Sequence, residues 1–586
     1  MESTPRRSIA ILPTLLALAF LGGATTGALA QGVCDTLRVS VHTDGSEASG
    51  PSGAIGATPC VSMSADGMVV AFWSGASNLV AGDTNGWGDI FVHERVTGVT
   101  SRVSIGPGGI EADNLSARPA LSADGLHVAF MSIAGNLVPG DTNGAWDTFV
   151  HDRQTGTTTR VSVGPGGIEG NSGSYRPSLS ADGRWVAFYS RASNLVPGDA
   201  NGDYDAFVRD TQLGLTTLVS VDSAGLHGNS SSLFPWISAD ARHVAFESQS
   251  DNLVPGDTNG TTDVFVHDLV SGQTERVSLD STGQQASGAS AHASLSADGR
   301  CVAFRSSAAD LVAGDLNGMI DVFHRDRVSG ATVLVSVGPG GLASDGASRW
   351  PIVSADGRFV AFESDATTLV PGDLNGQRDA FVRDLEAGWT SLVSRTAAGA
   401  LGDGDSGAPH LSSDGRQVAF FSHSTNLVAG DTNARSDVFV RECPAPPIAY
   451  CTAKTNSQGC VPAIGFSGAP GSTASASFDV SATNVLSNQT GLLFYGATGP
   501  SSTPFQGGLK CVASPTRRTP VQSSGGNPPP VDCSGQFSFD FNAHTASGVD
   551  PALITGTQVW AQYWSRDPAL PSTTNLTDAV TFTIGG

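Results

Sequence analysis

The chain has 586 residues, 72 of them glycine, and a formal net charge of −23 from 54 acidic and 31 basic side chains. So acidic a surface excludes nucleic acid and anionic membranes as partners and suits divalent cations. The length leaves room for more than one core, and helical 3.6-residue periodicity is scarce, which points to an all-β protein.

The N-terminus sets Arg6 and Arg7 ahead of an apolar run from Ile9 to Leu21 and closes with Ala28-Leu29-Ala30. This predicts a secretory signal peptide over 1–30, too short for a stable membrane anchor. No later stretch reaches the roughly 18 apolar residues of a spanning helix. The mature chain is expected to be soluble and exported: secreted, periplasmic or held at the cell surface.

A repeat then organises the chain. Asp83-Thr-Asn85-Gly86-Trp-Gly-Asp89 is followed by Ile90-Phe91-Val92, and its first Asp recurs at Asp141, Asp199, Asp257, Asp315, Asp373 and Asp431. The spacing is 58 residues each time, and every copy keeps an Asn two residues on, an Asp six on and a Phe eight on. A fixed period of this size means a repeat architecture. In the copy spanning 117–163, four short strands are separated by the Asp124-Gly turn, the Asp141-Asn143 loop and the Arg153-Gln-Thr-Gly156 turn. Four strands in a meander make one propeller blade, whose aromatic and Val positions pack against the next blade.

Ser180-Ala-Asp182-Gly-Arg-Trp-Val-Ala-Phe188-Tyr-Ser190, followed by Asn201-Gly-Asp-Tyr-Asp205-Ala-Phe207-Val-Arg-Asp210, resembles the repeat of TolB-like β-propellers. The resemblance covers 36–443 and implies the propeller fold. The loop before Asn-Gly is longer than in that family, and the α/β domain that precedes the propeller in TolB has no counterpart here.

Closure follows from registration. The fourth-strand pattern Arg102-Val-Ser-Ile occurs six times in series, while an orphan copy, Leu37-Arg38-Val-Ser-Val41, stands at the start of the mature chain. The N-terminal strand is therefore expected to complete the seventh blade. Cys443 falls at the register of Arg95 and Cys34 at that of Gly98, the two ends of one turn. Such positions lie within about 7 Å, so a disulfide should staple the ring. A loop of roughly 400 residues closed this way is worth on the order of 5 kcal/mol in the chain-entropy model. Cys60 and Cys301 sit on separate blades and are read as unpaired.

Pro444-Ala-Pro446-Pro447 ends the period, so the expected domains are a propeller over 34–443, a linker over 444–449 and a C-terminal unit over 450–586. Alternating segments such as 475–481, 491–495 and 579–584 predict a small β-sandwich. Its four cysteines, Cys451, Cys460, Cys511 and Cys533, allow three pairings, of which Cys451 to Cys460 and Cys511 to Cys533 close the most local loops. The segments 451–460 and 504–511 resemble a C-terminal module of other secreted bacterial proteins, which implies an accessory domain.

The repeated loop offers two carboxylates and an amide oxygen on a tight Gly turn, the hard oxygen set that calcium prefers. The candidate ligands are Asp83, Asn85 and Asp89; Asp141, Asn143 and Asp147; Asp199, Asn201 and Asp205; Asp257, Asn259 and Asp263; Asp315, Asn317 and Asp321; and Asp373, Asn375 and Asp379. In the seventh loop Ala434 replaces Gly and Arg435 lies nearby, so it is left out. The competing explanation is that Asp and Asn make Asx turns, with Gly supplying a positive φ. Calcium is the one cofactor the sequence suggests.

No catalytic set emerges. Gly404-Asp-Ser406-Gly resembles a serine-protease signature but aligns with an ordinary interblade loop. His93, His151 and His267 share one strand register and are read as edge-strand residues. Trp560-Ala-Gln-Tyr563-Trp564 is read as core before sugar platform. The expected function is a monomeric, non-catalytic binding or scaffold propeller for a protein or glycan of the cell envelope or exterior. The alternatives are a carbohydrate-active or other hydrolytic enzyme with its site at the channel mouth, and a surface adhesion protein. Recognition is placed on the rim formed by the fourth-to-first-strand and Asp–Asn loops.

Overall fold

The computed structural model describes residues 34–584 except 57, 444–447, 451–452, 469, 473–476, 506–507, 529 and 571–573. The signal peptide expected over 1–30 and most of the linker lie outside the described residues. No helix among the described residues is long and apolar enough to cross a membrane. Contacts divide the chain into two compact units, one spanning Val33–Ala445 and the other Pro446–Gly586.

The first unit is a seven-bladed propeller. Seven four-stranded antiparallel sheets follow one another among the described residues, each in simple meander order. Blade 3 is typical, with strands Ser174–Leu179, Trp185–Ser190, Asp205–Asp210 and Leu215–Leu218. Blade 7 has three consecutive strands and takes its outermost one, Asp35–Arg38, from the N-terminus, which pairs with Asp437–Glu442. Cys34 and Cys443 form the expected disulfide, with Cα atoms 4.3 Å apart.

The repeat dictates how blades stack. One Phe on the second strand and one on the third stack in every blade, as in Phe188 with Phe207 at 5.8 Å, and these rings are fully buried. Cores form between blades: Ala71, Ile90 and Val92 of blade 1 pack with Val128, Phe130 and Leu137 of blade 2. The same wall crosses the seam, where Val438 and Val440 of blade 7 meet Val61 and Phe72 of blade 1. Each Ser-x-Asp turn is tied locally, Ser122 Oγ donating to Asp124 Oδ1 at 2.6 Å. The turns are also joined from blade to blade, Ala123 N–H donating to Ala181 O and Ala181 N–H to Ala239 O.

The second unit is a β-sandwich. One sheet contains Thr490–Gly496, Gln558–Arg566 and Thr574–Thr583, and the other Ala463–Gly468, Phe478–Val485 and Gly535–Asp540. Phe478, Val480 and Phe537 from one face pack with Leu493, Tyr563 and Phe582 from the other. The expected local disulfides are corrected here. Cys460 pairs with Cys533, so neither Cys451 to Cys460 nor Cys511 to Cys533 forms. The strands between them fold back into the sandwich and bring these two Cα atoms to 6.4 Å despite a sequence separation of 73. Cys511 is also disulfide-bonded, and Cys451 lies outside the described residues. Cys60 and Cys301 are free and buried.

Candidate functional site

The Asp–Asn loops do two jobs at once. In blade 1, Asn85 Oδ1 accepts the Trp87 N–H at 2.9 Å, while its Nδ2 donates to Asp89 Oδ2 and to the Ala112 carbonyl, both at 2.9 Å. Asp89 Oδ1 in turn accepts from Ser104 Oγ at 2.6 Å. Asn143, Asn201, Asn259, Asn317, Asn375 and Asn433 likewise donate to Asp147, Asp205, Asp263, Asp321, Asp379 and Asp437. The Asx-turn function is therefore built into every copy, and it ties each loop to the next fourth-to-first-strand connection.

What lies between the two Asp carboxylates differs from blade to blade. In blade 1 the Arg102 guanidinium stands 3.2 Å from Asp83, 3.3 Å from Asp89 and 2.9 Å from Glu111. Arg160 does the same for Asp141, Asp147 and Glu169, and Arg38 for Asp431, Asp437 and Glu47. The acidic triads Asp141–Asp147–Glu169 and Glu47–Asp431–Asp437, close enough to hold a metal ion, thus enclose a guanidinium already. In blade 4 Arg276 lies 3.3 Å from Asp257 and 3.8 Å from Asp263. Blades 3, 5 and 6 have Leu218, Leu334 and Leu392 at the arginine's register. There Asp199 and Asp205 face His227, and Asp373 and Asp379 face Arg395. Burial pushes the first carboxyl of most loops up to about 6, as for Asp83, Asp141, Asp315 and Asp373, with repulsion from its partner Asp adding to the shift.

The remaining sequence candidates are structural. Ser406 is buried and hydrogen-bonded to Ser422 Oγ at 2.7 Å, the same latch as Ser174 to Ser190 and Ser232 to Ser248, so it is no nucleophile. His93, His151 and His267 lie on third strands inside their sheets, not on edges, and each Nδ1 hydrogen-bonds a fourth-strand Thr. Tyr563 belongs to the sandwich core, stacked on Phe537 and donating to Val480 O at 2.8 Å.

A constellation that the repeat conceals lies at the ring's axis. Along the innermost strands one register, followed by proline in five of the seven blades, reads Cys60, Arg118, Arg176, Phe234, His292, Trp350 and Ala408, seven positions at the 58-residue spacing with hardly a residue in common. From Arg118 to Ala408 every one has a φ between 51° and 58°, the left-handed region. Each sits on a bulge: in blade 3, Arg176 and Pro177 together oppose one residue between the pairs Tyr175–Tyr189 and Ser178–Ala187. A bulge re-aims side chains, and holding a non-glycine residue in this conformation costs about 1–2 kcal/mol. The re-aimed side chains line an axial cavity of about 240 Å³ to which all seven blades contribute.

The chemistry of this mouth is distinctive. None of the residues lining the cavity is acidic. Arg176 stacks over Phe234 at 4.1 Å and faces Trp350 at 5.0 Å, and His292 stacks on Trp350 at 3.9 Å. Tyr189 touches Phe234 at 5.8 Å and is itself stacked with Tyr175, so an aromatic arc runs from blade 3 to blade 6. Arg176 has no ion pair among the described residues, and the carboxylate whose charge it feels is Glu247. Burial brings its guanidinium down to about 9, helped by repulsion from Arg118. Burial, and then the arginines around it, hold His292 well below its usual range, so it is uncharged at neutral pH. Just outside, Glu247 accepts the His292 N–H at 2.8 Å and Glu363 the Ala408 N–H at 3.1 Å. These carboxylates therefore satisfy bulge amides, and burial raises Glu363 to about 7.

No family model and no curated protein matches the chain. Among solved structures it is similar to a putative TolB from Agrobacterium tumefaciens, at 15% identity over 59% of this chain and 94% of that one, with a TM-score of 0.33. It is also similar to an oligogalacturonate lyase from Vibrio parahaemolyticus, at 11% identity over 70% and 90% of the two chains and a TM-score of 0.41. A Pyrococcus horikoshii acylaminoacyl peptidase gives 10% identity over 75% of this chain and 59% of that one, with a TM-score of 0.38.

Proposed function

We propose that this protein is an exported, non-catalytic binding propeller that takes a small anionic ligand with a flat face into the mouth of its axial channel. One observation carries the reading: in a chain of net charge −23, the cavity is lined by Arg118 and Arg176 and by no acidic residue. The buried Arg176 guanidinium, which has no ion pair among the described residues, is costly to hold out of water, and an incoming carboxylate or phosphate relieves that cost. Phe234, His292 and Trp350 offer faces against which a sugar or aromatic ring stacks. Export rests on the signal-like N-terminus together with the disulfides. The hydrolytic alternative has Glu363 as its best acid, yet that carboxylate is engaged with a backbone amide.

The test follows Trp350 fluorescence during titration with uronic acids, aromatic carboxylates and phosphosugars, each beside its neutral analogue. Anions are expected to bind and the neutral analogues to bind at least about tenfold more weakly, with Arg176→Ala removing the difference. Equal binding of neutral analogues would sink the anion reading. Turnover of any of these ligands that is lost in Glu363→Gln would replace it with the enzyme.

A further inference from the structure

The seven Asp–Asn loops are copies of one oxygen cage, and four of them show what the cage is for. In blades 1, 2, 4 and 7 the oxygens of the first and second Asp close on one guanidinium nitrogen of a fourth-strand arginine. In three of those blades the arginine also donates to the carbonyl just before the first Asp, Gly140, Gly256 or Gly430, at 3.3 Å. The cage is a cation receptor that the chain fills with its own side chain.

Blade 5 keeps the cage and has lost the cation. Leu334 stands at the arginine's register and Ala343 at that of Glu111. Asp315 is 2% exposed and Asp321 is fully buried. Asp321 is held in place, Oδ1 accepting from Ser336 at 2.6 Å and Oδ2 from Asn317 at 2.6 Å. Asp315 Oδ1 is different: it is buried with no hydrogen-bond partner. No basic group is among those that perturb either carboxyl, whereas blade 3 has His227 and blade 6 has Arg395 in that role. A cleft lined by Asp280, Asp310 and Asp315 opens beside the cage and gives access from solvent.

Asp315 accepts the backbone N–H of Asn317, but a buried carboxylate oxygen left without a partner beside a second carboxylate is expensive unless a positive charge joins them. The geometry points to a single divalent cation of the calcium type in blade 5, bound by Asp315, Asp321 and the Gly314 carbonyl, in the place a guanidinium takes in blades 1, 2, 4 and 7. Hard carboxylate and carbonyl oxygens with solvent access match calcium better than a softer metal. The site uses no residue of the channel mouth and stands or falls independently of the anion reading.

Calorimetric titration of the chelator-treated, full-length mature chain with calcium tests this, with magnesium at matched ionic strength as control. One calcium per chain is expected, together with a rise of several degrees in the unfolding temperature, as an ion bound only to the native state requires. Asp315→Asn should lose that ion and that rise. Leu334→Arg should lose the calcium response too, because the cage then carries its own cation, and its unfolding temperature in chelator should match or exceed that of the calcium-free parent. Asp257→Asn in arginine-filled blade 4 should leave the stoichiometry at one. Absence of calcium binding at millimolar concentration, or a bound ion that survives Asp315→Asn, would overturn the proposal.

Discussion

The same seven blades carry two registers with opposite histories. At the stacked Phe register, Phe188 with Phe207 in blade 3 and Phe362 with Phe381 in blade 6 have almost identical geometry, at 5.8 and 5.7 Å. At the bulge register a few residues away, the same two blades place Arg176 and Trp350. The wall must repeat because each blade presents one face to its neighbour's other face, and any departure opens a gap in a close-packed core. From Arg118 to Trp350 the bulge register faces the channel, so packing does not dictate its side chain, and the backbone strain there is uniform while the chemistry is not. Repetition marks what holds the ring, and its failure marks the channel mouth, where the proposed ligand would be met.

The largest expected effect breaks the wall at its seam. Blade 7 exists only while Asp35–Arg38 pairs with Asp437–Glu442, and Val39 then completes the core shared by blades 7 and 1. Cys34→Ser removes the staple across a sequence separation of 409. The loss of stability is expected to be on the order of 5 kcal/mol in the chain-entropy model, read as a lower denaturant midpoint. Hydrogen exchange should show the N-terminal strand opening first, with blades 3 to 5 still protected. An unchanged midpoint would mean that the strand ladder and the Arg95–Glu442 ion pair, at 2.6 Å, close the ring unaided.

A smaller effect tests the join between the two registers. Glu363 leaves the second strand of blade 6 and accepts the N–H of Ala408 on the bulge of blade 7. Burial raises its carboxyl from the usual 4.5 to about 7. The native state thus holds a proton that the unfolded chain has released, and this contribution to stability is full below about pH 4.5 and lost as pH rises towards 7. Glu363→Gln keeps an oxygen for the amide and removes the titration. Its stability should fall less than that of the parent between pH 5 and 7.5, and parallel profiles would show that the carboxyl titrates normally.

Much of this was legible in the sequence, for physical reasons that also explain the rest. The 58-residue period, the orphan strand at Leu37-Arg38 and the placing of Cys34 against Cys443 all follow from ring closure, which demands strict registration. The cation cages were only half legible. Asp315 and Asp83 look alike in their loops, but the occupant is set nineteen residues on, where Leu334 replaces the counterpart of Arg102. The channel mouth is legible as a place, but its variable column is not, because a consensus keeps what repeats; aligning 60, 118, 176, 234, 292, 350 and 408 exposes it. The pairing of Cys460 with Cys533 had no local signal, because it depends on how the sandwich strands fold back.

The smallest effect separates strain that the scaffold imposes from strain that serves a side chain. Ala408 has a φ of 51° and occupies the bulge of blade 7 with nothing but a methyl group, whereas Trp350 and His292 occupy theirs with rings that stack on each other. If the left-handed bulge is a property of the innermost strand, Ala408 bears its cost with only a methyl packed against Ala54 and Phe421 to offset it. Ala408→Gly should then stabilise the fold by at most about 1 kcal/mol, since glycine adopts this region freely, less what the lost methyl contact and its greater freedom in the unfolded chain cost. Anion binding should not change, because no side chain beyond a methyl is removed from the mouth. Trp350→Gly relieves the same backbone and yet should gain no stability, because the stack on His292 and the contact with Arg176 are lost with the ring. A gain of equal size at both positions would show that the aromatic arc contributes nothing to the fold and is held for its ligand alone.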